Sequence, residues 1–340
     1  MKMRPVEKER YLNAAFPDID DLAIRYYQGE SDHQHLLDVF NDCKDLDGVD
    51  YTMTLEDIAN LYQHIERCNL ESDMIFVEVK GKVVAYSRVG WFPETSGDRI
   101  YYSLGVIRRD WRRKGIGTMI LTFCENRLLE IAADHPEDCR KFLQFDYNKN
   151  QLGRARLASG FGYQEVRWGY EMKRAIDRPL PDAAIPAGLE VRPVQERDWR
   201  DIFEAQNEAF RDHWGHVEAT EKDYQRFISE TTFEPKLWKV AWDQDQVAGM
   251  VLNFVNELEN KEYNRKRGYT EYISVRRPYR RKGLARYLLV ESIKMFREMG
   301  MEETALGVDV DNPNHALDLY QGVGYQTQKT WITCRKPLPG

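Results

Sequence analysis

The sequence contains one glycine-bearing basic stretch twice. Residues 101–117 read YYSLGVIRRDWRRKGIG and residues 269–285 read YTEYISVRRPYRRKGLA, and the two align without a gap, so that Gly115 matches Gly283. A second pair, NQLGRARLASGFGY at 150–163 and NPNHALDLYQGVGY at 312–325, follows in the same order and matches Tyr163 with Tyr325. Matched blocks in one order indicate that a whole domain was duplicated. We therefore expect two copies of one folding unit.

The length of 340 residues fits two cores better than one. A short third match, Met3–Val6 with Val191–Val194, is set further apart than the two glycines, which predicts about twenty extra residues in the first copy, within 28–54. Three prolines between 178 and 188 disfavour regular structure there. The predicted organisation is a first domain at 1–178, a linker at 179–188 and a second domain at 189–340.

Composition excludes several classes of protein. The amino terminus is charged and no apolar run approaches membrane-spanning length, so we expect a cytoplasmic protein that does not enter membranes. The five cysteines show no zinc-type spacing, which predicts reduced thiols and no metal. A net charge of -7 argues against a nucleic-acid-binding protein, since binding phosphate backbones needs a basic face.

Apolar periodicity places the repeated stretch between a strand and a helix in both copies. In the second copy it predicts strands at 238–242, 247–254, 269–275 and 304–310 and helices at 284–299 and 314–320. In the first copy it predicts strands at 74–79, 82–89, 100–107 and 142–145 and a helix at 116–133. Strands that alternate with helices predict an α/β protein with a mixed α+β sheet.

A glycine turn between a strand and a helix is suited to phosphate. The turn and the helix amino terminus direct free N–H groups and the positive end of the helix dipole at one point. Gly283 lets a ligand approach the backbone, and Ala285 is small. Three cations precede the glycine in each copy: Arg280, Arg281 and Lys282 in the second, and Arg112, Arg113 and Lys114 in the first. Nucleic acid is the alternative ligand of such a loop.

These motifs resemble the GCN5-related N-acetyltransferase (GNAT) family. Its Q/R-x-x-G-x-G/A motif is matched by RRKGLA at 280–285 and by RRKGIG at 112–117. A later family pattern is matched by VDVDNP at 308–313, ALDLY at 316–320 and the Gly-Tyr pair at 324–325. The resemblance covers both halves, and the tandem arrangement is similar to that of mycothiol synthase and related two-domain members.

The resemblance implies two tandem GNAT-type acyl-CoA N-acyltransferase domains and acetyl-CoA as the co-substrate. It implies that acetyl-CoA lies between two splayed strands, 269–275 and 304–310. Backbone groups near Ser274 and Val275 would bind the pantetheine arm, and Asn312 would hydrogen-bond it. The implied phosphate-binding residues of the two loops are Arg280, Arg281, Lys282, Gly283, Leu284 and Ala285, and Arg112, Arg113, Lys114, Gly115, Ile116 and Gly117.

Acyl transfer to an amine needs a proton acceptor for the amine and a proton donor for the departing thiolate. The resemblance places Tyr320 near the sulfur, where its phenol can donate that proton. Glu271 is the candidate base and Asp309 a second candidate. In the first copy Tyr320 corresponds to Ala158 and Glu271 to Ser103, whereas the phosphate loop is kept. We therefore expect chemistry in the second copy, and a first copy that binds CoA in a structural, substrate-framing or regulatory role.

The amine acceptor is the least determined part of the prediction. We expect a primary amine on a small molecule or peptide, and a protein that acts as a monomer or homodimer. Residues 28–54, and His213, Trp214 and His216, are expected where acceptors enter. Two rival hypotheses remain: a non-catalytic acetyl-CoA sensor or scaffold, and a nucleic-acid or ribosome-associated binding module.

Overall fold

The computed structural model describes residues 16–312 and 314–338. The chain divides into two compact units, Met1–Val166 with Ile332–Gly340, and Arg167–Trp331. Each unit has a mixed sheet with helices packed against it, which confirms the predicted α/β class. The boundaries of these units differ from those of the sequence repeats. The strand that follows the first repeat lies mostly in the second unit, and the end of the last strand of the chain lies in the first unit. The sequence-based boundaries at 178 and 189 describe the repeat and stay a prediction.

The first unit contains five strands in the spatial order β1-β2-β3-β4-β5, completed by the end of the last strand of the chain. Its elements are β1 (Leu22–Tyr26), α1 (His33–Cys43), α2 (Leu55–Gln63), α3 (Leu70–Asp73), β2 (Met74–Val79), β3 (Lys82–Pro93), β4 (Arg99–Ile107), α4 (Ile116–Ala133), β5 (Lys141–Asn148) and α5 (Leu152–Gly160). Strands β4 and β5 are parallel and pair only from Arg99 with Lys141 to Tyr102 with Gln144.

The second unit has the strand order β6-β11-β10-β9-β8-β7. Its elements are β6 (Gln164–Ala175), β7 (Glu190–Val191), α6 (Trp199–Phe210), α7 (Glu221–Ile228), β8 (Lys239–Asp243), β9 (Gln246–Phe254), α8 (Glu257–Glu262), β10 (Arg267–Val275), α9 (Leu284–Glu298), β11 (Glu303–Asp309), α10 (Ala316–Val323) and β12 (Gln326–Pro337). Strand β6 follows the first repeat in the chain but pairs with β11 from Gly169 onwards. Strand β12 passes into the first unit from Ile332.

The two parallel strands of the second unit separate after three residue pairs, of which the last is Tyr269 with Ala305. Strand β10 then carries a bulge, because Glu271 pairs with Leu252 of β9 while Ser274 pairs with Met250. The extra residue is accommodated by Tyr272, whose φ of 49° is in the left-handed region. The bulge and the loss of pairing open a cleft between β10 and β11.

Helix α9 holds the sheet side of that cleft in place. Its apolar face is fully buried through Leu288, Leu289, Ile293 and Phe296. The ring of Phe296 packs directly against Gly268, where a Cβ would clash with the ring. The helix therefore approaches β10 closely at the point where β10 and β11 are still paired, and burial of each large apolar side chain contributes about 1.5–3 kcal/mol.

The predicted strands and helices of both copies are confirmed with small shifts at their ends, but the prediction of extra residues in the first copy is wrong. The match at Met3–Val6 lies outside the described residues. Strand β1 pairs with β2 as β7 pairs with β8, so LAIRY at 22–26 corresponds to LEVRP at 189–193. From there to the glycine loop the two copies have nearly the same length. Among the described residues, no helix is both long and apolar enough to cross a membrane.

Candidate active site in the second unit

A cavity of about 680 Å³ occupies the cleft between β10 and β11. Its walls are residues 270–275 of β10, 307–309 of β11, the basic loop with the start of α9, and α10. The structure thus brings the predicted binding and chemical groups into one cleft. The predicted site residues that line it are Glu271, Ser274, Val275, Arg280, Arg281, Gly283, Leu284, Ala285, Asn312 and Tyr320.

The basic loop is held in shape by its first arginine. Arg280 donates to the backbone oxygens of Val275 (2.9 Å) and Ala209 (3.0 Å) and to the carboxylate of Asp212 (2.6 Å). Asp212 also accepts from Arg277, and these two guanidinium groups hold the pKa of its carboxyl well below the usual range. The charge of Arg280 is therefore used within the protein, where it ties the loop to β10 and α6.

The rest of the loop is open to a ligand. Arg281 and Gly283 have φ angles of 60° and 85°, which turns the chain into α9. A Cβ at Gly283 would meet nothing within 4 Å. The first helical hydrogen bond runs from Tyr287 N–H to Gly283 oxygen (3.0 Å), so the N–H groups of residues 284–286 point out of the helix end. Exposed Arg281 lines the cavity beside these donors, as an anion site requires. Lys282 is also exposed, but it is not among the lining residues and its ammonium lies over the ring of Tyr279 (5.8 Å).

The open edge of β10 offers polar groups to the cleft beyond the bulge. Arg276 N–H donates to Ala248 oxygen (3.0 Å) on the β9 side, so the backbone groups of Val275 point to the opposite side. There the Val275 oxygen accepts from Arg280, and the Val275 N–H faces the cleft. Ser274 is buried and lines the cavity, and its hydroxyl has no hydrogen-bond partner in the described part of the chain. These groups are suited to polar atoms of a ligand lying along the strand.

Glu271 lies at the wall of the cleft where the strands separate. Its carboxylate accepts a hydrogen bond from Gly307 N–H across the gap (3.1 Å). The pKa of Glu271 is raised to about 8, chiefly by burial; the Gly307 hydrogen bond opposes this rise and the nearby carboxylate of Glu171 adds to it. The carboxylate of Glu171 is itself paired with Lys329 (3.3 Å). A carboxyl group with a pKa near neutrality can both accept and release a proton.

Tyr320 lies on α10 and is 5 % exposed, with its side chain at the cavity wall. Its hydroxyl makes no hydrogen bond to any described residue, in contrast to the neighbouring Tyr325, which bonds Thr270 (2.9 Å) and Thr304 (2.8 Å). Burial, and next the charge of Glu271, raise the pKa of Tyr320 above its usual value. The phenol is therefore protonated at neutral pH and free to donate to a ligand.

The residues expected at the acceptor entrance differ in their positions. His213 lines the cavity and packs on Phe210, with ring centroids 4.3 Å apart, and burial lowers the pKa of its imidazole. Trp214 lies over the guanidinium of Arg167 (5.4 Å), and His216 is not among the lining residues. Asp309, the second candidate base, is paired with Arg167 at 2.7 Å. Asp309 is thus an ion-pair partner at the cavity wall.

The first unit has a smaller cavity of about 390 Å³ at the equivalent place. Arg112, Arg113, Gly115 and Gly117 line it, while Lys114 lies over the ring of Trp111 and Ile116 is buried in the core. Arg112 is held by both carboxylate oxygens of Asp47, at 2.8 and 2.7 Å. Strand β4 pairs with β3 in unbroken register and has no bulge over its described residues.

The acidic partners of the loops were not predicted from the sequence. Asp47 and Asp212 each bind the first arginine of their loop. Asp47 follows α1 and Asp212 follows α6, but the alignment of the two loops matches Asp47 with Gly215, so the repeat does not identify the pair. Gly307 was not predicted either, because it has no distinguishing sequence context. Over residues 16–312 and 314–338, no group of three or more His, Cys, Asp or Glu side chains could hold a metal ion; independence from metals stays a prediction.

Comparison with known proteins agrees with this geometry. The sequence model described as the acetyltransferase (GNAT) family matches residues 34–163 and again 199–325. Mycothiol acetyltransferase of Geodermatophilus obscurus is 25% identical over 78% of this chain and 82% of its own length. A GCN5-related N-acetyltransferase from Sphaerobacter thermophilus has a TM-score of 0.68 at 23% identity, and covers 94% of this chain and 97% of its own. A tandem GNAT protein from the clavulanic acid biosynthesis pathway has a TM-score of 0.65 at 13% identity, with 94% and 99% covered.

Proposed function

We propose, from the premise that this chain belongs to the acetyltransferase (GNAT) family, that its second unit carries the chemistry and acetylates a primary amine of a small molecule. The family assignment makes the chain an acetyl-CoA-dependent N-acetyltransferase with two tandem copies of the fold. The observation that carries the proposal is that Glu271 and the unpaired hydroxyl of Tyr320 line the same cleft beside an open phosphate loop. In the first unit their positions are held by Ser103 and Ala158.

Acetyl-CoA fits the second cleft by the chemistry of its walls. The loop presents the N–H groups at the start of α9 with Arg281 beside them, which suits a pyrophosphate. The hydroxyl of Ser274 and the N–H of Val275 supply polar groups for the amide-containing pantetheine arm. The splayed strands leave room for that arm, because β10 and β11 do not pair beyond Tyr269 and Ala305.

The acceptor amine is protonated in water, and it releases that proton to solvent before the neutral amine attacks. The pKa of Glu271, raised to about 8, makes its carboxylate a base that is matched to neutral pH. As the new N–C bond forms, the amine proton passes to Glu271. Backbone N–H groups on the open edge of β10 stabilise the negative charge that develops on the acetyl oxygen.

Breaking the C–S bond leaves a thiolate that needs a proton. Tyr320 donates it from its phenol, whose raised pKa keeps it protonated until the thiolate charge appears. The proton that Glu271 gained and the one that Tyr320 lost are exchanged with water before the next turnover. Net transfer therefore converts amine and thioester to amide and thiol.

The acceptor class is proposed from the relatives as well as the site. Several relatives whose similarity covers more than two thirds of this chain are mycothiol acetyltransferases, a name that specifies a small-molecule acceptor. The partly buried imidazole of His213 and the ion pair of Asp309 with Arg167 line the cavity or its wall, and they suit a polar acceptor.

The decisive experiment follows the loss of thioester absorbance from acetyl-CoA with a panel of primary amines. We expect turnover with at least one small polar amine, and a reduction of about 10²-fold in kcat for Tyr320→Phe. Tyr279→Phe is the matched control, because Tyr279 also lines the cavity but donates to Asp243 (3.0 Å). Binding of acetyl-CoA with no turnover for any amine would favour the sensor alternative, and equal losses in the two variants would refute the role of Tyr320.

A further inference from the structure

The cleft of the first unit is crossed by a side chain of the protein itself. Beyond the last β4–β5 pair, Tyr102 with Gln144, the guanidinium of Arg154 lies between the separating strands. It donates through Nη1 to Gly105 oxygen in β4 (2.8 Å) and through Nη2 to Asp146 oxygen in β5 (2.9 Å). The guanidinium carbon also lies 4.7 Å from the ring centroid of Phe145. Arg154 therefore ties together the two strands that are open in the second unit.

The repeat shows what this side chain replaces. In the alignment that matches Tyr163 with Tyr325, Arg154 corresponds to Ala316, which lines the open cavity of the second unit. In the alignment of the two glycine loops, Gly105 corresponds to Ile273, on the β10 segment that is proposed to receive the pantetheine arm. The guanidinium thus occupies the space that the arm would need in the first unit.

The phosphate loop of the first unit is obstructed as well. A Cβ on Gly115 would lie 3.0 Å from the ring of Pro17, whereas the same construction at Gly283 meets nothing within 4 Å. A phosphate that approached Gly115 from that side would meet Pro17 before it reached the backbone. The absence of a bulge in the described residues of β4 is a third difference, since nothing there redirects the backbone toward a thioester.

We propose that Arg154 takes the place of the cofactor in the first unit, so that this chain binds one molecule of acyl-CoA, in the second unit only. A pantetheine arm in the first cleft would have to break both hydrogen bonds of a charged guanidinium and leave it beside apolar Phe145. The first unit keeps the loop motif as a structural turn. The closure of the first cleft does not depend on whether the second unit transfers acetyl groups.

The test is the stoichiometry of coenzyme A binding to the full chain, measured by isothermal titration and equilibrium dialysis. We expect one site per chain in the wild-type protein and about 100-fold weaker binding in Gly283→Glu, since the new carboxylate repels the phosphates. Gly322→Glu, at an exposed position of the same unit with nothing within 4 Å, is the control for the substitution. Two sites per chain, or one site retained in folded Gly283→Glu, would overturn the proposal.

Hydrogen exchange on the wild-type protein gives a readout that needs no variant. Coenzyme A should slow exchange in peptides covering 270–290 and leave those covering 103–118 and 144–156 unchanged. Protection of the first-unit peptides would overturn the closure of that cleft. Absence of protection anywhere would contradict the proposed function of the second unit while supporting a closed first cleft, so the two failures are distinguishable.

Discussion

Replacing Glu271 by glutamine should stabilise the fold while removing the proposed base. Folding raises the pKa of Glu271 to about 8 from an ordinary value of 4.5, chiefly because the carboxylate is taken out of water. A carboxyl group whose pKa is raised by folding has no effect on stability at low pH, where it is protonated in both the folded and the unfolded state. At high pH it destabilises the folded state, where its ionisation is less favourable. The native protein therefore loses stability as the pH rises from about 4.5 to about 8, and glutamine at position 271 does not.

The size of the effect follows from linkage. Each pKa unit corresponds to about 1.4 kcal/mol, so a rise from 4.5 to about 8 sets an upper bound of about 5 kcal/mol above pH 8. The side chain faces a cavity that admits water, which screens the charge, so we expect about 2 kcal/mol. For a unit of this size that is a rise of about 4–8 °C in the melting temperature. Glutamine also keeps an oxygen for the Gly307 N–H.

The assay is thermal unfolding of both proteins at a series of pH values. The melting temperature of Glu271→Gln should equal that of the wild type near pH 4 and exceed it increasingly up to pH 9. Asp309→Asn is the control, because it removes a carboxylate from the same cavity but breaks the ion pair with Arg167, and it should not stabilise. A difference that does not depend on pH, or a variant that is less stable at pH 9, would refute the reasoning.

Three further predictions concern activity. Under saturating substrates, kcat of Tyr320→Phe should fall about 10²-fold while the Kd for acetyl-CoA changes less than about threefold, and a parallel loss of binding would contradict the acid role. Asp212→Asn should raise the KM for acetyl-CoA about 10–100-fold, because the ion pairs of Asp212 with Arg277 and Arg280, which shape the basic loop, are lost; an unchanged KM would show that the loop holds without them. In the wild type, log kcat/KM should rise with pH to a plateau above about pH 8 and not fall before about pH 10, because the pKa of Tyr320 is raised. Glu271→Gln should lose that ionisation, and an identical profile would exclude Glu271 as the base.

The repeat and its motifs predicted the elements around the site because the signals are local. Alternating apolar residues predict β9 and β10 as strands, and helical spacing predicts α9 as a helix. The basic loop between β10 and α9 therefore had to lie at a strand-to-helix junction. The bulge at Tyr272 could not be predicted, since a bulky residue with positive φ runs against local preference and is imposed by the tertiary structure.

The closure of the first cleft could not be predicted from the sequence either. Arg154 reads as a solvated residue on a helix, and its contacts with two carbonyl oxygens exist only because β4 and β5 separate. The pairing of β6 with β11 and the passage of β12 into the first unit could not be predicted for a similar reason. Their alternation of apolar and polar residues is the same whichever unit they complete. Long-range pairing depends on the whole fold, which one segment of sequence does not record.

The central claim, that the second unit binds and uses acetyl-CoA, is tested most directly by a crystal structure of the full chain with coenzyme A. We predict one molecule per chain in the cleft between β10 and β11, with its pyrophosphate on the N–H groups of residues 284–286 and its sulfur beside the hydroxyl of Tyr320. An empty β10–β11 cleft with coenzyme A between β4 and β5 instead, or a sulfur remote from both Tyr320 and Glu271, would contradict the claim.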